Sequence, residues 1–377
     1  MKIALLGFGT VGFGVYEIAE SVEGLDIAYV LDLKKHEGLT AKSVTDITPI
    51  LEDSSVETVV ELIGGLHPAY EFVKSSLLAG KNVVTANKFL ICEYYEELNK
   101  LAKEKGVSLR YTASVGGGIP WLINLQRIKR FSEVTKIVGI LNGTTNFILD
   151  SMHKNGSDFS EVLREAQRLG YAEADPSADI DGLDTIRKII ISSNIAFSGV
   201  FDNSSANVFG IRNITFKDIE MAEKMGKVVR LLATAEKTEN GFAVYSEPTM
   251  VDKDSPFASV SDSFNRISVT SNYEGEAAFF GYGAGRYPTA YAVVGDLVDI
   301  YEGSLQPYSD SFEPLVADNS GVTGVYYIRT TAGLPEEIIE KKLETGVLTY
   351  PVSVAKMHKI KENGIKTDSG FFFARVN

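Results

Sequence analysis

The sequence predicts an α/β protein with three parts: a parallel-sheet N-terminal half, an α+β second half and a short C-terminal α+β unit. Three observations lead there. Apolar strand-like runs alternate with helical spacing from Ile3 to Ser114. Longer strand-like runs mixed with helices follow as far as Tyr301, and a strand–helix–strand pattern resumes from Thr323. Composition bounds the class: 377 residues, 44% hydrophobic, with 34 glycines, fit a soluble globular chain of two or three domains. The net charge of -13 argues against nucleic acid and anionic lipid as partners. No stretch reaches the length of a membrane span, and the first apolar run meets Gly7 too soon to be a secretory core. The single Cys92 excludes an internal disulfide and fits a reducing compartment, so a cytoplasmic location is expected. His36, His67, His153 and His358 form no zinc spacing.

Taken in order, Ile3-Ala4-Leu5-Leu6 is a buried-strand run that enters Gly7-Phe8-Gly9-Thr10-Val11-Gly12, and Val15, Ile18 and Ala19 then have helical spacing. Strand, glycine loop and helix in this order are the opening of a Rossmann-type dinucleotide-binding domain. One glycine permits the tight turn, one the approach of a pyrophosphate, and one the packing of helix on strand. A second strand, Ile27 to Leu31, ends at Asp32. Its carboxylate would accept from the ribose 2′-hydroxyl of NAD, whereas Lys34 and Lys35 would pair with the 2′-phosphate of NADP, so the cofactor stays open between the two. Val56 to Ile63 reads as a strand, Tyr70 to Ala79 as a helix, and Lys81 to Lys88 as a strand whose carboxyl end carries Lys88. Ligands of such sheets sit beyond the carboxyl ends of strands, so Lys88 is a candidate site residue as well as a plain surface lysine. Ser108 to Ser114 is a further strand.

The loop Val115-Gly116-Gly117-Gly118-Ile119-Pro120 is either a simple turn or a ring of backbone carbonyls suited to a hard cation such as sodium or potassium. Ile137 to Leu141 is a strand, and Asn142-Gly143-Thr144-Thr145-Asn146 caps a helix from Phe147 to Met152 or hydrogen-bonds a polar substrate. Gly170 to Lys188 then crowds five acids and a late lysine around Pro176, which ends one helical pattern before another begins. Asp184 and Lys188 share a helix face, as a surface ion pair would. Helical patterns follow at Ile189 to Ala196 and Glu220 to Ala235. Strands follow at Phe242 to Ser246, Arg266 to Ser271 and Glu276 to Phe280, then a long helix from Ala290 to Tyr301. Glu302 to Asn319 is an irregular connection. The C-terminal unit reads as a strand at Val325 to Thr330, a helix at Pro335 to Glu344, and strands near Val352 to Lys356 and Phe371 to Val376.

Several motifs now agree. Gly7-x-Gly9-x-x-Gly12, Thr85-Ala86-Asn87-Lys88, Ala113 to Pro120, Leu141 to Asn146, the Gly170-Tyr171-Ala172-Glu173 to Lys188 run, and Gly283-Ala284-Gly285 before Pro288-Thr289 occur in one order. Over roughly residues 1 to 300 the chain resembles the homoserine dehydrogenase family. The resemblance implies NAD(P)-dependent interconversion of L-aspartate 4-semialdehyde and L-homoserine on the route to threonine and methionine. It implies a Rossmann-type domain at 1–130 completed by a segment near 281–301, a substrate-binding and dimerisation domain at 131–300, a C-terminal unit at 322–377, and a homodimer. Phe8, Thr10, Val11, Gly170 and Gly285 would lie at the cofactor with Gly7, Gly9, Gly12, Asp32 and Lys88. Glu173, Asp184 and Thr144 would hold the substrate with Asp179 in support, Lys188 would donate the proton, and Lys88 would be the second active-site lysine. The carbonyls of Val115, Gly117 and Ile119 would ligate a monovalent cation. Two departures stand out: Thr112 replaces a glutamate common in the family beside that cation, and the C-terminal unit is short for a regulatory ACT module, at most a partial one.

The residues suit this chemistry. Hydride reaching an aldehyde carbon leaves an alkoxide, and a lysine of ordinary pKa near 10.4 is a ready proton donor to it. Carboxylates such as Glu173 and Asp184 pair with the substrate's ammonium, so Asp184 and Lys188 are expected to act as two arms around one molecule. Asp175 and Asp181 are read as turn and helix-start acids. Two alternatives differ in class. An aspartate-semialdehyde dehydrogenase would need a thiolate, for which only Cys92 exists, and a non-catalytic NAD(P)-binding sensor would lack the proton donor or the acids.

Overall fold

A computed structural model describes residues 1–34, 36, 38–304 and 311–377. Lys35, paired above with a 2′-phosphate, and part of the connection from Glu302 to Asn319 lie outside the described residues. The chain divides into two compact units, the first comprising Met1–Phe131, Asn194–Val200 and Tyr282–Glu313. No local pattern marks Asn194–Val200 as part of this unit.

The first unit is built on six strands, β1 (Lys2–Leu6), β2 (Asp26–Leu31), β3 (Lys42–Val44), β4 (Val56–Glu61), β5 (Asn82–Thr85) and β6 (Leu109–Arg110). They pair in parallel in the order β3-β2-β1-β4-β5-β6, the doubly wound order of dinucleotide-binding sheets. The apolar run at the N-terminus is unbroken because β1 is covered on both faces. Ile3 and Leu5 pack with Val15, Val60, Ala290 and Val293, while Ala4 and Leu6 pack with Ile50 and Val59. Helix α1 (Thr10–Ala19) follows β1 directly. The expected strand from Ser108 to Ser114 is shorter. Only Leu109–Arg110 pairs, and Thr112–Ser114 forms a single 3-10 turn.

The second unit comprises Ser132–Ser193, Phe201–Gly281 and Pro314–Asn377. At its centre Lys227–Thr238 and Gly241–Asp252 pair antiparallel along their full length. Val134–Ile140, Phe264–Ser271 and the edge strand Gly275–Tyr282 extend the sheet one way, and Phe372–Val376, Thr323–Arg329, Val347–Thr349 and Ile339–Lys342 the other. The helix expected over Glu220 to Ala235 is therefore corrected: it ends at Lys224, and Gly226 (φ 73°) turns the chain into a strand. Val229 to Ala235 are buried throughout, and an apolar run covered on both faces does not by its periodicity separate strand from helix.

The C-terminal segment does not stand apart as a third body. Phe372–Val376 pairs with both Gly241–Asp252 and Thr323–Arg329, and Tyr327, Phe372 and Ala374 enter the same core as Ile148, Leu149 and Leu231. The helix expected at Pro335 to Glu344 is a 3-10 turn, Glu336–Ile338, running into the strand Ile339–Lys342. The helix lies at Val354–Gly364 instead, where Ser353 Oγ accepts from Lys356 N at 3.2 Å and Val354, Met357 and His358 bury one face.

Candidate active site

The acidic run folds as a reversal around two glycines. Asp175 Oδ1 accepts from Ser177 N at 3.0 Å, opening the one-turn helix Ser177–Ile180. Gly182, at φ 82°, then admits the helix Leu183–Ala196. Ile211 N donates to Ile180 O at 2.7 Å, an approach that requires Gly210, whose Cβ would stand 2.0 Å from that carbonyl. Asp179 and Asp184 thus flank one turn and converge on Asn142. Asn142 Nδ2 donates to Asp179 Oδ1 at 2.7 Å and to Asp184 Oδ2 at 2.8 Å, while its Oδ1 caps the helix Gly143–Asn155 by accepting from Thr145 N. Capping and site chemistry, alternatives in the sequence, are combined in one side chain.

Lys188 Nζ lies 2.7 Å from Asp184 Oδ2 and donates to the Leu141 carbonyl at 2.6 Å. Both side chains are buried, at 8% and 5% exposure, so the pair is not a surface ion pair. Charges removed from water must meet a partner, and here each meets the other. Burial, then the neighbouring Asp184 charge, push the Asp179 carboxyl above its ordinary range, against the opposing pull of Asn142, Lys188 and Thr144. Thr144 Oγ1 donates to the Tyr171 carbonyl at 2.5 Å, tying the helix start to the acidic loop. The Glu173 side chain is exposed, and its backbone carbonyl accepts from Gln167 Nε2 at 3.1 Å. Asp181 pairs with Arg212 at 2.6 Å and serves the loop's outer face. Gly170 ends the helix Phe159–Leu169 in the left-handed conformation.

In the first unit, the three loop glycines divide between two tasks. A Cβ on Gly7 would lie 2.9 Å from the Leu62 backbone, and one on Gly12 2.2 Å from Gly7 O, whereas one on Gly9 would meet nothing within 4 Å. Gly7 and Gly12 hold the turn, and Gly9 leaves open the approach to the first turn of α1, which fits a pyrophosphate. Asp32 follows β2 and turns back to the loop: Oδ2 accepts from Phe8 N at 2.8 Å and Oδ1 from Lys34 N at 2.9 Å, with His36 Nε2 3.5 Å from Oδ2. Burial raises this carboxyl, yet the Lys34 and Phe8 N–H groups and His36 together hold it below its ordinary range. His36, which sequence reasoning had only excluded from zinc, packs on Phe8 with ring centroids 4.7 Å apart.

Lys88 opens the short helix Lys88–Glu93 at the carboxyl end of β5, after Asn87, whose side chain accepts from Leu90 N. Cys92 is buried in the same helix and gives no support to a thiolate mechanism. In the glycine loop, Gly116 and Gly117 have φ of 84° and 53°, Gly116 O accepts from Ile119 N and Ile119 O from Trp121 N. Thr112 Oγ1 and N both donate to Asp296 Oδ2, at 2.7 and 3.1 Å. No sequence signal marked Asp296, which lies 184 positions away.

A glycine loop open to a dinucleotide and a buried lysine set among carboxylates fit the class of NAD(P)-dependent oxidoreductases, which need a place for a hydride carrier and a group able to donate a proton. Comparison with known proteins narrows the class. The family model for homoserine dehydrogenase matches residues 120–298, and that for the homoserine dehydrogenase NAD binding domain matches residues 7–112. Homoserine dehydrogenase of Synechocystis is 40% identical over 80% of this chain and 73% of its own length. That of Pseudomonas aeruginosa is 33% identical over 98% of this chain and 87% of its own. The crystal structure of a homoserine dehydrogenase from Thiobacillus denitrificans superposes with a TM-score of 0.88 at 32% identity, covering 100% of this chain and 98% of that one. A hyperthermophilic archaeal homoserine dehydrogenase in complex with NADPH gives 0.71 at 25% identity, covering 81% and 98%. The chain belongs to the homoserine dehydrogenase family.

Proposed function

We propose that the chain interconverts L-aspartate 4-semialdehyde and L-homoserine, on the route to threonine and methionine, with Lys188 as the proton donor. The observation that carries this reading is the buried Lys188 held between Asp184 and the Leu141 carbonyl. An ammonium has three N–H donors, and among the described residues these two partners take two, leaving one for a substrate oxygen. A nicotinamide held at the glycine loop would supply or accept the hydride. Lys188 protonates the alkoxide in the reductive direction and takes the hydroxyl proton in the oxidative one. Asp184 and Asp179, held by the single Asn142 amide, face the α-ammonium, with Glu173 and Thr144 completing the grip and Lys88 acting as second lysine at the carboxyl end of β5.

Phe8, Gly9, Thr10 and Val11 hold the cofactor by their place at the start of α1, together with Gly7, Gly12, Asp32, Gly170 and Gly285. For a monovalent cation at the carbonyls of Val115, Gly117 and Ile119, Thr112 brings a neutral hydroxyl in place of a carboxylate, so any such ion is held more weakly. A homodimer is supported by the edge strand Gly275–Tyr282, which leaves Phe280 56% exposed. Cytoplasmic residence is supported by the one buried free thiol. Among the described residues no helix is long and apolar enough to cross a membrane.

The reading is tested by mixing protein, homoserine and NAD or NADP at alkaline pH and following the absorbance of the reduced cofactor. Turnover is expected with at least one of them, lost in Lys188→Ala, while dinucleotide binding by that variant persists. Near-normal kcat in Lys188→Ala would remove the proton-donor role. No turnover by the native chain with either dinucleotide would favour a binding protein without catalysis.

A further inference from the structure

Beside the glycine loop of the first unit lies a cavity of about 430 Å³, lined among others by Phe8, Gly9, Thr10, Phe13, His36 and Arg286. Arg286 is far in sequence from the 7–112 match to the NAD binding domain, and it begins the helix Arg286–Tyr301 directly after Gly285. Three contacts hold it at the cavity. Its Nε donates to the Thr10 carbonyl at 3.4 Å. Its guanidinium carbon lies 4.4 Å from the Phe13 ring centroid. Its stem rests on bare backbone of α1, since a Cβ on Gly14 would come within 2.9 Å of Arg286 Cγ. Gly14 and Phe13 together make a seat for this side chain.

A guanidinium has five N–H donors in a planar fork. Thr10 O takes one, and among the described residues no carboxylate lies within ion-pair distance of the rest. Among the described residues no acid lines the cavity, and Asp32 has turned its oxygens to Phe8 N and Lys34 N. The charge at this opening is therefore positive, next to the N–H groups at the start of α1, and suits an anion with several acceptor oxygens. We infer that Arg286 binds a phosphate group of the dinucleotide, either the pyrophosphate or the 2′-phosphate of NADP, so that the last helix of the unit contributes to cofactor affinity. The inference rests on the reading of the glycine loop as the cofactor site.

The test is a fluorescence titration of the purified protein with NADPH and with NADH, without substrate. Arg286→Met keeps an unbranched stem over Phe13 and removes the charge, and Arg286→Lys restores a charge without the fork. Losing charge-assisted hydrogen bonds to phosphate corresponds to a Kd about ten- to a hundredfold weaker. Loss for NADPH alone assigns the 2′-phosphate, equal loss for both assigns the pyrophosphate, and partial recovery in Arg286→Lys is expected in either case. Kd values for both dinucleotides that stay within about twofold of the native protein in Arg286→Met overturn the inference. If the native protein binds neither dinucleotide, the cofactor reading itself fails, a result distinct from the first.

Discussion

Replacing Asp296 by asparagine should make the protein's stability less sensitive to pH between weakly acidic and alkaline conditions. Asp296 is 2% exposed, and burial pushes its carboxyl from 3.8 up to about 7, against the Thr112 hydrogen bonds and the charge of Arg110. The sign follows from linkage. In the unfolded chain the carboxyl gives up its proton near its ordinary value, but in the folded chain it keeps it to about 7. Stability from this group is therefore fully present below about pH 4, falls as pH rises, and is lost above about pH 7. The gap of about 3 pH units, at 1.36 kcal/mol each, amounts to about 4 kcal/mol, of which about 3 falls between about pH 5 and pH 8. An asparagine carboxamide does not ionise, and its oxygen can still accept from Thr112 Oγ1. Urea midpoints of both proteins at the two pH values give the comparison. Asp296→Asn should gain on the native chain as pH rises. A difference between the two proteins that is the same at both pH values would refute the argument from burial.

Three further outcomes are expected. Asn142→Ala removes a helix cap and the amide shared by Asp179 and Asp184. It should cost about 1 kcal/mol of stability and at least about tenfold in kcat, with dinucleotide Kd unchanged; a kcat near native would leave Asn142 as a cap only. The acid limb of kcat/KM for homoserine should lie above the ordinary carboxylate range, because Asp179 holds its proton to higher pH and a protonated acid no longer attracts an ammonium, and Asp179→Asn should shift that limb. Gly9→Ala should leave the melting temperature unchanged while weakening dinucleotide binding, whereas Gly12→Ala, with its Cβ 2.2 Å from Gly7 O, should lower the melting temperature; the reverse pattern would contradict the roles assigned to the loop.

The N-terminal sheet was readable because each of its parts is local. An unbroken apolar run marks a strand covered on both faces, and the glycines of the loop answer to contacts within one strand–loop–helix unit. The strand Lys227–Thr238 was misread for the same reason that β1 was read well: burial on both faces erases the alternation that separates strand from helix. Pro335 to Glu344 failed differently, since its Glu and Lys content favours helix while pairing with Val347–Thr349 imposes extension. In the candidate site, Asp184 and Lys188 were visible as a helical i,i+4 pair. Asn142 was visible only as a cap, because its second duty is to acids 37 and 42 positions away.

Taken alone, the sequence determined the dinucleotide half, the order of the motifs, and the acids and lysine gathered around Pro176. Spacing within one turn or one helix places side chains without reference to the rest of the chain. Only the tertiary structure decided that Asp184 and Lys188 are buried against each other and that one amide joins Asp179 to Asp184. It alone set Asp296 against Thr112 and Arg286 on the opening beside the glycine loop. Each of these rests on contacts with distant segments, as when Leu141 and Asn142 cover the local Asp184 and Lys188 pair, and such contacts are fixed by how elements pack, which no local pattern encodes.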